Sequence, residues 1–250
     1  MKQMPELGQL EIIQPDWNAP GNIVACTTTR QGGYSQGKWA SLNLANHVGD
    51  DPVMVSKNRT LLSESLQLPS EPVWLEQVHG CDVAMADSAI ATPACDASFT
   101  QQPDVVCAVL TADCLPLLLC NEEGDRVAAV HAGWRGLSAG VIEQAVKQMA
   151  CPGESVLAWL GPAIGPDVFE VGAEVREMFI GLEHQASNAF KEHGDKWLCD
   201  IYQLARQRLA NLGVSQIAGG DYCTYHDIER FYSYRRDGTT GRMASLIYIT

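Results

Sequence analysis

The chain has 250 residues, 46% of them hydrophobic and 19% charged, with a formal net charge of -13. That length buries a large core without external staples, and the composition excludes a disordered chain. The negative charge opposes the counterion release that holds proteins on nucleic acid, and no basic block offsets it, so a nucleic-acid polymer is not an expected partner.

The start, MKQMPELGQLEIIQPDW, carries acidic residues and prolines where a secretory signal needs an unbroken apolar segment. The longest apolar run elsewhere is interrupted by Asp113, so the expectation is a soluble, cytoplasmic protein with no membrane partner. NIVACTTTR alternates β-formers, RQGGYSQGKW is glycine-rich, and SLNLANHVGDDP breaks at a turn. From Pro52, VMVSKNRTLLSESLQL spaces its apolar residues helically, and PVWLEQVHG predicts a short strand ending at His79 and Gly80. Residues 104–110, 116–120 and 126–131 read as buried strands, with NEEGD turning between the last two. A helix is predicted over LSAGVIEQAVKQMA, then a strand and tight loop over SVLAWLGPAIGP and a short helix over GAEVREMFIGL. DIYQLARQRLANLGV predicts an amphipathic helix closed by Gly213, and a last strand follows. No proline- or serine-rich linker divides the sequence, so the fold class expected is mixed α/β (α+β), one domain over residues 1–250.

The nine cysteines are odd in number, contain no CxxC pair and mostly sit inside apolar runs, which predicts reduced, buried thiols rather than disulfides. Cys81, Cys114 and Cys223 instead fall beside loop signals. If NEEG is a four-residue hairpin loop, Cys120 lies opposite Asp125 and, further down the ladder, Cys114 lies opposite His131 with Cβ atoms roughly 5 Å apart. A one-residue slip would turn the two to opposite faces. Such a pair suits either an activated thiolate or two metal ligands. Of the six histidines, His184, His193 and His226 lie in polar or helix-flanking stretches, and His47 lies in a turn. His79 ends an apolar strand directly before a glycine, where a scaffold presents functional side chains. Two imidazoles and a thiolate make a three-ligand set with an open position, suited to zinc and tolerant of copper.

The segments SLNLANHVGDDPVMVSKNR, EQVHG, TADCLPLLL, VAAVHAGWRGL, GPAIGPDVFEVG and FYSYRRDGTTGRMA resemble the YfiH family, once labelled a laccase or polyphenol oxidase domain. The blocks run in order over nearly the whole chain. The resemblance implies mixed β-sheets packed with flanking helices, similar to the catalytic domain of cytotoxic necrotizing factor. It implies metal ligation by His79, Cys114 and His131. It also implies purine nucleoside phosphorylase activity on adenosine, inosine and methylthioadenosine, with adenosine deaminase activity in the same pocket. The laccase label fits poorly, because a four-copper site needs more histidines, many as HxH, and this chain has six and no HxH.

Phosphorolysis needs cations and N–H donors around a phosphate. Arg30, Arg135, Arg235, Arg236 and Arg242 are candidates, Arg135 foremost because it follows His131 in a loop opening a helix. GPAIGP and HAGWRG could add backbone donors, Asn43 could bond base or ribose, and Phe231, Tyr232 and Tyr234 could stack on a purine. Asp113 and Glu76 are the nearest carboxylates in sequence for acid/base work. The expected partners are purine nucleosides and phosphate, with zinc or copper as cofactor and a monomer or small homo-oligomer as the assembly. Two other readings stay open: a metal-free hydrolase acting on an amide in cell-wall peptide editing, with Cys114 as nucleophile and His131 as base, and a non-enzymatic protein with a structural metal.

Overall fold

The computed structural model describes residues 10–88 and 92–250, so the first nine residues of the stretch read as lacking a signal lie outside the described residues. The strands are β1 (Ile12–Ile13), β2 (Ile23–Thr28), β3 (Val83–Met85), β4 (Ala97–Thr100), β5 (Cys107–Thr111), β6 (Leu115–Asn121), β7 (Val127–Ala132), β8 (Val156–Leu160), β9 (Glu170–Val171), β10 (Phe190–His193), β11 (Lys196–Cys199), β12 (Gln216–Gly219) and β13 (Met243–Ile249). The helices are α1 (Pro52–Leu66), α2 (Trp134–Ala139), α3 (Val141–Met149), α4 (Ala173–Leu182), α5 (Ile201–Asn211) and α6 (Tyr234–Asp237). Among the described residues no helix is long and apolar enough to cross a membrane.

Two sheets stack face to face. An antiparallel sheet runs β1-β2-β13-β5, and a mixed sheet runs β12-β8-β6-β7-β4-β3, with β12/β8 and β3/β4 parallel. The alternation along β6 shows why its run reads as continuously apolar: Leu115, Leu117 and Leu119 pack toward α3 and α5, whereas Leu118 and Cys120 pack against β5 and β13. On the far face of the antiparallel sheet, Leu61 and Leu62 of α1 meet Val106, Ala108 and Leu246. The layers are therefore helix, sheet, sheet, helix, a mixed α+β architecture.

The β6–β7 hairpin keeps the predicted strands but not the predicted register. Its loop is EEGD rather than NEEG, because Asn121 and Arg126 close the ladder: Asn121 N–H donates to the Arg126 carbonyl at 3.2 Å, and Asn121 Oδ1 accepts from the N–H groups of Asp125 (3.1 Å) and Arg126 (3.0 Å). Cys120 is thus opposite Val127, and His131 is opposite Pro116 rather than Cys114. Moving the loop by one residue shifts the pairing by two, which preserves side-chain parity. Cys114 and His131 still share a face, as diagonal neighbours.

The helix expected over 137–150 is two helices, α2 and α3, separated by Gly140 at φ 93°, a left-handed conformation that ends the first and starts the second. Segment 72–80 is not a regular strand. Its ladder is replaced by isolated bridges and by the Gln77 amide, which donates to the Leu110 carbonyl and accepts from the Leu110 N–H, each at 2.8 Å.

Candidate functional site

Along β7, Val127 and Ala129 point into the space between the sheets, and His131 shares their parity. At that open end the termini of β5, β6 and β7 border a cleft of about 440 Å³. His47, Gln77, His79, Cys114 and His131 belong to its lining with residues 110–113, Ile164, Phe169 and Ile201 supply apolar wall, and Trp134, Arg135, Tyr234, Arg235 and Arg242 line it as well.

Within the cleft the ligand atoms of His79, Cys114 and His131 all lie within 4.8 Å of one another, the one such group of His, Cys, Asp or Glu found among the described residues. The His79 and His131 rings meet edge to face, centroids 4.9 Å apart. A Cβ on Gly133 would stand 3.0 Å from Cys114 Sγ and 3.3 Å from His79 Cδ2, so the missing side chain leaves room for the cluster. Two non-glycine residues at the site carry left-handed backbone, His79 at φ 61° and Asp113 at φ 90°. Strain of this kind persists where surrounding bonds over-determine it. The Asp113 carboxylate accepts from Thr224 Oγ1 and from the Arg235 N–H, each at 2.6 Å, which pins the residue before Cys114.

The residue that sequence reasoning missed is Asp96. Fully buried, it accepts from His131 Nδ1 at 2.7 Å and from the N–H groups of His79 (2.9 Å), Gly80 (2.7 Å) and Val78 (3.2 Å). The available signal was a lone acidic residue among small residues, ACDASF, entering a buried strand. Burial alone would raise the Asp96 carboxyl, but the hydrogen bond from His131 and the Gly80 N–H outweigh it and hold the group below its ordinary value. Burial likewise opposes charge on Cys114 and His131. Their mutual attraction wins, lowering the thiol and, with the Asp96 hydrogen bond, raising the imidazole, so without metal the pair tends toward thiolate and imidazolium. The other thiols at the sheet core behave oppositely, with Cys107 and Cys120 pushed up to about 12 by burial.

Arg135, Arg235 and Arg242 all line the cleft, and among the described residues none of them forms an ion pair. Arg135 stacks over Trp134 with its guanidinium carbon 4.4 Å from the ring centroid, Arg235 Nη1 donates to the Glu170 carbonyl at 2.9 Å, and Arg242 Nη1 donates to the carbonyls of Thr240 (2.9 Å) and Gly241 (3.0 Å). Three guanidinium groups without an ion pair, opposed at longer range by Asp113 beside Arg242 and Glu170 beside Arg235, concentrate positive charge in one cleft of a chain carrying -13, which suits an anion.

Other candidates fall elsewhere. Arg30 does not line the cleft. Its guanidinium stacks on Tyr232 at 4.7 Å and donates to the carbonyls of Ala40 (3.0 Å) and Ile228 (3.2 Å), which makes it a loop clamp. Asn43 is fully buried rather than facing ligand: Nδ2 donates to the Ala45 carbonyl (3.1 Å) and Asp50 Oδ2 (2.9 Å), and Oδ1 accepts from the N–H groups of Ala45 (3.1 Å) and Arg242 (3.0 Å). It therefore supports the cleft only through the Arg242 backbone. Arg236 is engaged by the Thr224, Tyr225 and Phe231 carbonyls and by Asp237. Phe231 and Tyr232 are core residues, and Tyr234 alone of the three aromatics reaches the cleft, 60% exposed. In GPAIGP, the N–H groups of Gly161, Ala163, Ile164 and Gly165 are bonded to Pro116, Tyr202, Asp113 and Cys223 within the fold. Glu76 lies outside the lining, whereas Asp113 lines the cleft but has both carboxylate oxygens occupied. His184, His193 and His226 are exposed.

A family model described as multi-copper polyphenol oxidoreductase laccase matches residues 24–250. A protein of Escherichia coli named purine nucleoside phosphorylase YfiH is 58% identical over 240 residues, covering 96% of this chain and 99% of its own. A purine nucleoside phosphorylase of Pseudomonas aeruginosa is 51% identical, covering 95% and 98%. Among solved structures, the Neisseria meningitidis protein NMB0706 superposes with a TM-score of 0.93 at 46% identity over 95% of this chain and 98% of that one. YlmD of Geobacillus stearothermophilus gives 0.87 at 31% identity, over 96% and 98%. With a cleft built from His79, Cys114 and His131 and relatives matched over nearly their full length, the chain belongs to the multi-copper polyphenol oxidoreductase laccase family, in the branch that contains YfiH.

Proposed function

We propose that the chain is a metal-dependent purine nucleoside phosphorylase. It would convert adenosine, inosine and methylthioadenosine to free base and a ribose 1-phosphate derivative, and deaminate adenosine in the same cleft. The observation that carries the reading is the meeting, in one cleft, of a His/Cys/His cluster with three arginines that form no ion pair among the described residues. The purine nucleoside phosphorylase activity for which the relatives are named supports it.

His79, Cys114 and His131 would hold the metal. The donor set fits zinc: two imidazole nitrogens and a thiolate leave a coordination position open, and Asp96 behind His131 completes the carboxylate–histidine pairing common at such sites. Copper accepts the same donors. When bound, such an ion supplies Lewis acidity at its open position.

In phosphorolysis a phosphate oxygen bonds to the anomeric carbon as the bond to the purine nitrogen breaks, and the leaving purine takes that electron pair and a proton. Arg135, Arg235 and Arg242 would bind the phosphate and offset its charge as the sugar becomes cation-like. Phe169 and Tyr234 would flank the base, with Ile164 and Ile201 excluding water. In deamination, water adds at C6 of adenine and ammonia leaves. Cytoplasmic location, one catalytic domain over 1–250 and a monomer or small homo-oligomer belong to the same reading.

Zinc-loaded protein given adenosine and phosphate should yield adenine and ribose 1-phosphate, and inosine with or without phosphate, followed by chromatography. Neither product at confirmed metal occupancy overturns the reading. The Asp96–His131–Cys114 line also favours a second one, the metal-free amide hydrolase, since it resembles a nucleophile, base and orienting acid in series. A covalent substrate adduct on Cys114 that survives denaturation would select it.

A further inference from the structure

One carboxylate outside the cleft lining stands behind two of the three metal donors. Asp96 Oδ1 accepts from His131 Nδ1 and from the His79 N–H, and Oδ2 accepts from the N–H groups of Gly80 and Val78. Its carbonyl in addition accepts from the His131 N–H at 2.7 Å. Consecutive N–H groups turned inward form an anion nest, and here the nest closes on a side chain of the same protein. That closure holds His79 in a left-handed conformation that a side chain-bearing residue rarely adopts. At His131, Nδ1 is consumed by Asp96, so Nε2 is the atom left to face Cys114.

We infer that Asp96 is the positioning residue of the metal centre: with one oxygen pair it selects the His131 tautomer that presents Nε2 and fixes the 78–80 backbone that presents His79. The inference rests on the metal set proposed above.

Asp96→Asn preserves the shape of the side chain and separates the roles. Its amide NH₂ must replace either Oδ1, which faces the His131 and His79 donors, or Oδ2, which faces the Gly80 and Val78 donors. In either orientation a donor meets donors, so His131 changes tautomer or the 78–80 turn opens. Cobalt(II) alone is the probe, titrated into metal-free wild type and Asp96→Asn while the visible absorption is recorded. The expected result is affinity weaker by roughly 10- to 100-fold, the range for loss of an outer-shell partner, together with altered ligand-field and thiolate charge-transfer bands. An Asp96→Asn protein that melts at lower temperature yet binds cobalt within twofold of wild type, with unchanged bands, would show a merely structural role and overturn the inference. If the variant does not fold, ¹⁵N-histidine NMR of zinc-loaded wild type decides: a protonated Nδ1 on His131 supports the inference, and a protonated Nε2 overturns it. Wild type that binds no metal defeats the metal reading itself, whereas tight wild-type binding with an indifferent Asp96→Asn defeats this inference alone.

Discussion

Gly133→Ala tests whether the room left beside Cys114 is part of the site. The added methyl would lie 3.0 Å from Cys114 Sγ, 3.3 Å from His79 Cδ2 and 3.6 Å from Cys114 Cβ. Ordinary carbon contacts fall at about 3.5–4.0 Å, so the two donor residues must give by a few tenths of an ångström. The backbone has no objection, because Gly133 sits at φ -64° and ψ 157°, a conformation open to alanine, and losing a glycine modestly stabilises through the unfolded state. Overpacking costs about 1–3 kcal/mol, and here it falls on the donor side chains rather than on the core. If it appears as displaced donors, zinc affinity drops by roughly 5- to 150-fold while the metal-free protein melts near the wild-type temperature. Zinc affinity is read by competition with a chromophoric chelator, and melting by circular dichroism. Zinc affinity within twofold of wild type would refute the reasoning, since the cluster would then tolerate the methyl without moving.

Further outcomes are expected. Arg242→Ala should raise the phosphate KM by more than tenfold with a smaller effect on nucleoside KM, because a charge-assisted contact is worth about 1.5–3 kcal/mol; equal effects on both substrates would count against it. In metal-free protein Cys114 should react with iodoacetamide ahead of Cys107 and Cys120, with an inflection below the free-thiol value of about 8.5, and zinc should protect it. Peptide mapping that finds Cys107 labelled first would contradict this. Cys26 and Cys107 are buried and raised to about 12, so their stabilisation is fully present below the unfolded thiol pKa of about 8.5 and is lost as pH rises toward the folded value. Urea melts under reducing conditions should therefore lose up to about 1.4 kcal/mol per pH unit per thiol above that point, and a flat profile from pH 8 to 10 would be inconsistent. Asn43→Ala leaves the Arg242 N–H and the Ala45 N–H without a partner, which should cost about 1–3 kcal/mol in stability and raise the phosphate KM as well.

Much of this arrangement is legible in the residues. β6 and β7 stand out because strands covered on both faces carry unbroken apolar runs, and α1 and α5 because their apolar residues recur at helical spacing. Cys114 and His131 could be brought to one face by hairpin arithmetic even with the wrong loop, since the error was an even number of residues. The loop itself turned on Asn121, whose side chain replaces backbone partners in a way no hydrophobic pattern records. Short pieces such as β9 and β12 exist through long-range pairing and were not visible locally. Arg30 and Arg242 look alike in sequence, and only the carbonyls that surround each decide that one clamps a loop and the other lines the cleft. Asp96 was overlooked because its partners lie on two separate segments.

The position of β13 bears on how the protein is made. It pairs with β2 on one side and β5 on the other, so Ile23–Thr28 and Cys107–Thr111 are joined in one sheet only through Met243–Ile249. On the ribosome, those two segments emerge long before the strand that joins them. For most of synthesis they present unsatisfied edges, a window in which chaperones or misassembly compete for them. Because Arg242 directly precedes β13, the cleft gains that cation only when the sheet closes. Nascent chains stalled before residue 242 should accordingly be sensitive to protease along β2 and β5, and substrate should protect only chains in which β13 has cleared the tunnel.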